Sequence, residues 1–228
     1  MITASPLWLL VRQSDGATWT ILLVLLVMSI ICWTVALYKW VQLNNYLRGV
    51  RATIASVHQK RTKQDLEHAA HYVRGIVGES LIIAANTFFV PSIIRYRESN
   101  DLRTELLMLR DDLDGAISIE LAKADMHIAI LKTSAEAAPL LGLLGTIWGL
   151  IHSFVRISFE RVADIVTVAP GIAEALITTL AGLLVAIPAL LFFHILHRKL
   201  QVYEQELVVL SERCELLVRT VLVQEKNI

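Results

Sequence analysis

The chain has 228 residues, of which 55% are hydrophobic and 18% charged, with 21 Lys and Arg against 21 Asp and Glu. A chain this apolar is neither disordered nor an ordinary soluble domain, where charged residues approach a quarter of the total. Zero net charge leaves no electrostatic footprint for nucleic acid, and two cysteines cannot frame a disulfide scaffold. The composition indicates a membrane protein, and the apolar stretches and helical periodicities along the chain make it an all-α one with three transmembrane helices and a helical domain outside the bilayer.

Residues 1–17 form an N-terminal segment, in which LWLLV at 7–11 has the pattern of a short interfacial helix. Span 1 covers 18–40, and its 20–38 stretch carries no charge. Only Arg12 and Asp15 precede it, the apolar run is long, and no A-x-A-like site follows, so it is expected to be retained rather than cleaved. Residues 41–131 read as a cytoplasmic helical domain. It opens with a basic stretch, Lys39, Arg48, Arg51, Lys60, Arg61 and Lys63, with no acid before Asp65. Farther on, residues 98–125 hold eight acids against Arg103, Arg110 and Lys123. Packing of the acidic on the basic segment and two separately solvated faces are both compatible with this pattern. Leu102, Leu106, Leu109, Leu113, Ala116, Ile117 and Leu121 form one apolar helical face, with Ser99, Asn100 and Asp101 as N-cap candidates. No breaker follows before Pro139, which predicts one helix from about residue 100 through span 2, roughly 80 Å long.

Span 2 covers 132–157, a short loop 158–166, and span 3 167–197. Span 3 contains one charged residue, Glu174. Residues 198–228 continue it as an amphipathic helix with Leu200, Tyr203, Leu207, Leu210, Cys214, Leu217 and Val221 on one face. Lys and Arg follow spans 1 and 3, whereas the 158–166 loop region mixes signs, so the large loop and the C-terminus are expected in the cytoplasm and the N-terminus outside. Cys32 and Cys214 are expected to be inert thiols in a reducing compartment.

Gly142, Gly145, Thr146, Gly149 and Ser153 share a small-residue face of span 2. Gly171, Ala175, Thr178, Thr179, Gly182, Ala186 and Ala189 form a similar one on span 3. Such faces let helices approach closely and let Thr hydroxyls bond across the contact. Glu174 has two readings, a functional intramembrane acid or a structural hydrogen bond to a neighbouring helix. His152 and His194 sit near span ends, and the hydroxyls of Thr146, Thr178 and Thr179 do not titrate near neutrality. A proton relay built from this chain alone lacks a second titratable group, so a transport role requires another subunit. Walker A, HExxH, GxSxG and CxxC patterns are absent, no enzyme activity or cofactor is expected, and His58, His68 and His71 lack the Cys or acid that would complete a zinc set.

The runs APLLGLLGTIWGLIHSF (138–154) and VAPGIAEALITTLAGLLVAIPA (168–189) resemble the ExbB/TolQ/MotA family of proton-channel motor subunits, most closely its ExbB and TolQ branches. The resemblance implies a homo-oligomeric ring, usually of five, in the inner membrane of Gram-negative bacteria, surrounded by membrane lipid and with the N-terminus periplasmic. It further implies an ExbD- or TolR-like single-span partner whose intramembrane Asp supplies the missing titratable group, and work delivered to TonB or TolA. Thr146 and Thr179 match the pore-facing threonines and Glu174 the intramembrane glutamate, with Thr178 beside them on the pathway. Gly142, Gly145, Gly149, Gly171 and Gly182, with Pro139, Pro170 and Pro188, then form the packing face of the ring. Glu136, where a small or apolar residue is expected, and Thr178, often Ala, depart from the family pattern. The ExbB branch is preferred to TolQ on span 1 and the GLLGT motif, while His152 is the TolQ-like feature.

Overall fold

A computed structural model describes residues 16–58, 101–160 and 165–226. They form four helices: α1 Gly16–His58, α2 Leu102–Asp125, α3 Ile128–Glu160 and α4 Ile165–Lys226, with no strand among the described residues. Three of them, α1, α3 and α4, are long and apolar enough to cross a membrane. The predicted spans 18–40, 132–157 and 167–197 fall within these helices, and span 3 continues unbroken into the C-terminal helix. The 7–11 segment, His68 and His71 lie outside the described residues.

The chain divides into two compact units, Met1–Lys39 with His127–Ile195, and Trp40–Met126 with Leu196–Ile228. In the first, Leu25 of α1 packs with Ala138, Val185 and Ala186, supported by Ile21, Met28, Leu141 and Ala181. The buried side chains here are mostly small, while Leu26, Ile30, Leu140, Leu176 and Leu184 face outward. Lipid solvates such side chains as well as a protein core does, so only close packing distinguishes inside from outside. Pro139 lies within α3, and Pro170 and Pro188 within α4, without interrupting either helix.

The second unit has the opposite character. Leu43 and Val50 of α1, Leu109, Leu113 and Ile117 of α2, and Tyr203, Leu207, Leu210, Cys214, Val218 and Leu222 of α4 are buried. The α2 positions and those from Tyr203 to Cys214 belong to the faces expected from sequence, whereas Leu43 and Val50 were not anticipated and, past Cys214, burial moves by one residue from the expected Leu217 to Val218 and on to Leu222. Asp101 caps α2 by accepting from the N–H groups of Arg103 and Thr104, at 3.1 and 3.3 Å, and from the Thr104 hydroxyl at 2.5 Å. That hydroxyl, chiefly, holds the Asp101 carboxyl below its usual range.

One expectation is corrected. Residues 100–157 do not form one helix: α2 stops at Asp125 and α3 begins at Ile128. Met126 turns to φ −48°, ψ 129°, and His127 takes a left-handed φ of 74°. The break has no Gly or Pro to announce it, and His is among the few side chains enriched at positive φ. It falls at the boundary between the two units in sequence, with Ala124 and Ile128 buried on either side of it. Tertiary packing, not local propensity, ends the helix.

Individual residues of both charged segments are tied into the second unit. Arg51, from the basic stretch, donates to Glu206 of α4 at 2.8 Å, and Lys199 donates to Asn44 at 2.7 Å while lying 3.4 Å from the Trp40 ring centre. Burial lowers the Lys199 pKa. From the acidic stretch, Glu105 and Glu120 are buried, and Glu120 accepts from Lys123 at 3.4 Å. Burial and then the charge of Glu120 raise the pKa of the enclosed Tyr203 phenol. Both cysteines are free and buried, and burial pushes the Cys214 thiol up to about 12.

Candidate functional site

The small faces of spans 2 and 3 meet each other within one chain. Contacts run from Ala138–Gly182 through Gly142–Thr178, Gly145–Thr178 and Gly149–Ala175 to Ser153–Gly171, so α3 and α4 are antiparallel. A methyl on Gly142 would stand 2.9 Å from the Thr178 carbonyl oxygen and 3.0 Å from Thr179 Cα. One on Gly182 would stand 2.6 Å from the Ala138 carbonyl oxygen, and one on Gly145 would run into the Thr178 side chain. At Gly142 and Gly182 backbone meets backbone, and at Gly145 the Thr178 side chain takes the space a Cβ would need.

Hydroxyls line this seam. Thr178 is fully buried, and its Oγ1 donates to Ala175 O at 2.7 Å with a longer approach of 3.4 Å to Gly142 O. Thr179 Oγ1 donates across the seam to Gly142 O at 3.2 Å, Thr146 Oγ1 to Leu143 O at 2.7 Å, and Ser153 Oγ to Gly149 O at 2.9 Å. Each proton is directed at a carbonyl, which leaves hydroxyl lone pairs to accept from a neighbour.

Helical periodicity then sorts the predicted site residues. With about 3.6 residues per turn and antiparallel axes, Thr146 and Thr179 fall on the same edge of the seam. The opposite edge is the one covered by α1, where Leu25 packs against Val185 with Ala181 beside it. Glu174, five residues before Thr179 and so about 140° from it, falls on that α1 edge. Thr146, Thr179 and Glu174 are half-buried, and Glu174 and His152 both have interaction partners. The structure therefore brings Thr178 and Thr179 to Gly142, sets Thr146 on the Thr179 edge, and leaves Glu174 apart from the threonine pair. Thr178 lies inside the seam instead of on an edge.

Of the packing residues, Gly142, Gly145, Gly149 and Gly182 are buried, and Gly171, Pro139, Pro170 and Pro188 half-buried. Glu136 is exposed on α3. Sequence reasoning did not single out Ala138, whose carbonyl sets the closest approach to Gly182, and only the contact could reveal it. No group of three His, Cys, Asp or Glu side chains is arranged for a metal among the described residues.

Comparison with known proteins places this seam in context. Residues 87–208, which include all of α2 and α3, match the MotA/TolQ/ExbB proton channel family. The chain is 27% identical over 218 residues to the biopolymer transport protein ExbB of Pseudomonas putida, covering 92% of this chain and 63% of that protein. It is 40% identical over 91 residues to the Tol-Pal system protein TolQ of Haemophilus influenzae, covering 40% of each. Against ExbB of Neisseria meningitidis serogroup A it is 27% identical over 202 residues, 87% of this chain and 90% of that one. The match thus spans less than two thirds of the length of the first two relatives.

Proposed function

The chain belongs to the MotA/TolQ/ExbB proton channel family, and on that premise we propose that it is an ExbB-type subunit of an inner-membrane proton motor. Copies of it form a homo-oligomeric ring of five around an ExbD-like single-span partner bearing an intramembrane Asp. Proton passage through that carboxylate drives movement of the partner against the ring, and the work passes to TonB for outer-membrane active transport. The N-terminal 1–17 segment and the 158–166 loop are periplasmic, and 41–131 and 198–228 cytoplasmic.

The observation that carries this reading is the glycine seam with Thr146 and Thr179 half-covered along one edge. A carboxylate passing such an edge meets hydroxyls that can donate to its charged form and accept from its protonated form. Neutralised, it crosses small apolar surface that its charged form could cross only at high cost. A proton moving through about 100 mV releases about 2.3 kcal/mol, enough to bias each step. Glu174 supplies the ring's own carboxylate from the α1 edge, and Thr178 holds the seam together.

A TolQ-type subunit delivering work to TolA is the second reading, favoured by the higher local identity to the Haemophilus TolQ. The longer ExbB alignments, 92% and 87% of this chain, favour the first. The test is energised uptake in cells carrying the partner. Glu174→Ala and Thr179→Val are expected to abolish it while the ring still assembles. Full activity in both variants overturns the motor reading, and rescue of a Tol defect in place of a TonB-dependent one selects the second branch.

A further inference from the structure

A groove in the second unit, about 370 Å³ in volume, lies between the start of α2 and the end of α4. It is lined by Leu102, Leu106 and Leu107, by Arg103, Arg110 and Arg219, and by Glu215 as its one acid. All three arginines are exposed, and no ion pair engages them among the described residues. Leu107 is 56% exposed. With three arginines against one acid, the groove is a poor electrostatic match for a copy of itself.

The complement is on the same helix. Asp112 lies nine residues, about two and a half turns, from Arg103 and so on the opposite side of α2. It is flanked along that side by Met108 and Ile119, which are 47% and 55% exposed. The second unit therefore carries an apolar ridge with an acid at its centre and an apolar groove with a basic rim, on the two edges of one buried helix face. A surface with two different, mutually complementary patches makes a head-to-tail contact, the kind that builds a ring where the rotation between neighbours closes.

We infer that the Arg103–Arg110–Arg219 groove receives the Met108–Asp112–Ile119 ridge of a second copy of this chain, forming a heterologous subunit contact in the cytoplasmic domain. The inference rests on the ring reading above and adds to it a specific surface. A lipid head group does not fit: Arg219 stands about 22 residues, roughly 33 Å of helix, beyond His197, where the apolar run ends, and electrostatic attraction to a membrane decays within about 8 Å at physiological salt. Exposed ion pairs are individually weak, so the contact sets register and direction around the ring more than its affinity.

The test uses the full chain in membranes, in a background lacking Cys32 and Cys214. Leu107→Cys and Met108→Cys chains with different tags are co-expressed and bridged by a short bis-maleimide. Mixed dimers are expected in at least about fivefold excess over the products of either chain alone. Arg110→Glu is expected to lower the mixed yield roughly fivefold, the effect of about 1 kcal/mol, and Asp112→Arg in the neighbouring chain to restore it. An intact ring by native mass spectrometry with no mixed product overturns this contact and leaves the ring standing. Equal self-cross-linking of either variant overturns the head-to-tail geometry. Loss of a single-span partner on Arg110→Glu, with the ring and its cross-links unchanged, assigns the groove to that partner and overturns the proposal. A monomeric wild-type chain in lipid nanodiscs overturns both the ring reading and the contact.

Discussion

The two units solve the same packing problem with opposite materials. The first buries Gly142, Ala138, Ala175 and Thr178 and turns leucines outward. The second buries Leu109, Leu207, Leu210 and Tyr203 and turns charges outward. The difference follows from the solvent each surface suits. In water, large apolar side chains gain most from burial. In lipid they gain nothing by it, so contact is left to shape, and glycine gives the closest shape. Bonds between helices differ in kind: in the first unit the Thr179 hydroxyl donates to the Gly142 backbone carbonyl, whereas in the second the side chains of Arg51 and Lys199 donate to the side chains of Glu206 and Asn44.

The contrast can be broken most sharply by one substitution made twice. Leu207→Ala, in the second core, is expected to cost about 2–5 kcal/mol, whereas Leu140→Ala, 66% exposed in the first unit, should cost under about 0.5 kcal/mol. Thermal unfolding in detergent checks both, and equal losses would remove the distinction. The converse change, adding bulk to the seam, should cost about 1–3 kcal/mol for Gly182→Val, because its Cβ would stand 2.6 Å from a backbone oxygen that cannot move aside. Lower folded yield, with Gly115→Val tolerated in its open space, is the expected pattern.

The boundary between the units is the next target. His127→Val places a β-branched residue at φ 74° and should cost about 1–2 kcal/mol, while His127→Gly should be close to neutral. A continuous helix through 126–127 would predict the reverse order, with glycine the worse residue. The smallest effect is confined to high pH. Cys214 is raised by burial from 9.0 to about 12, so its contribution to stability is complete below about 9 and is lost as pH climbs toward 12. Maleimide labelling of Cys214 should accordingly be negligible at pH 7–9 in the folded protein and rapid once it unfolds.

Much of this architecture was legible along the chain. Each span announces itself because about 20 uncharged apolar residues have few other stable locations. Asp101 was readable as a cap since its position, just before an apolar period, satisfies orphan N–H groups. The Leu207 and Cys214 face followed from helical period alone. Even the separation of Glu174 from Thr179 was contained in a five-residue spacing, although its meaning required knowing which edge α1 covers.

What local sequence determined, then, is where helices exist, which stretches suit lipid, and which positions must stay small. Tertiary structure alone decided the rest. It placed Thr178 inside the seam and Thr146 and Thr179 on its edge, drew Glu105 and Glu120 out of solvent, paired Arg51 with Glu206 155 residues away, and ended α2 at Asp125 without a breaker. The physical reason is range. Hydropathy and capping act over one or two helical turns, while burial, partner choice and the break at His127 depend on surfaces that meet only once distant segments have packed.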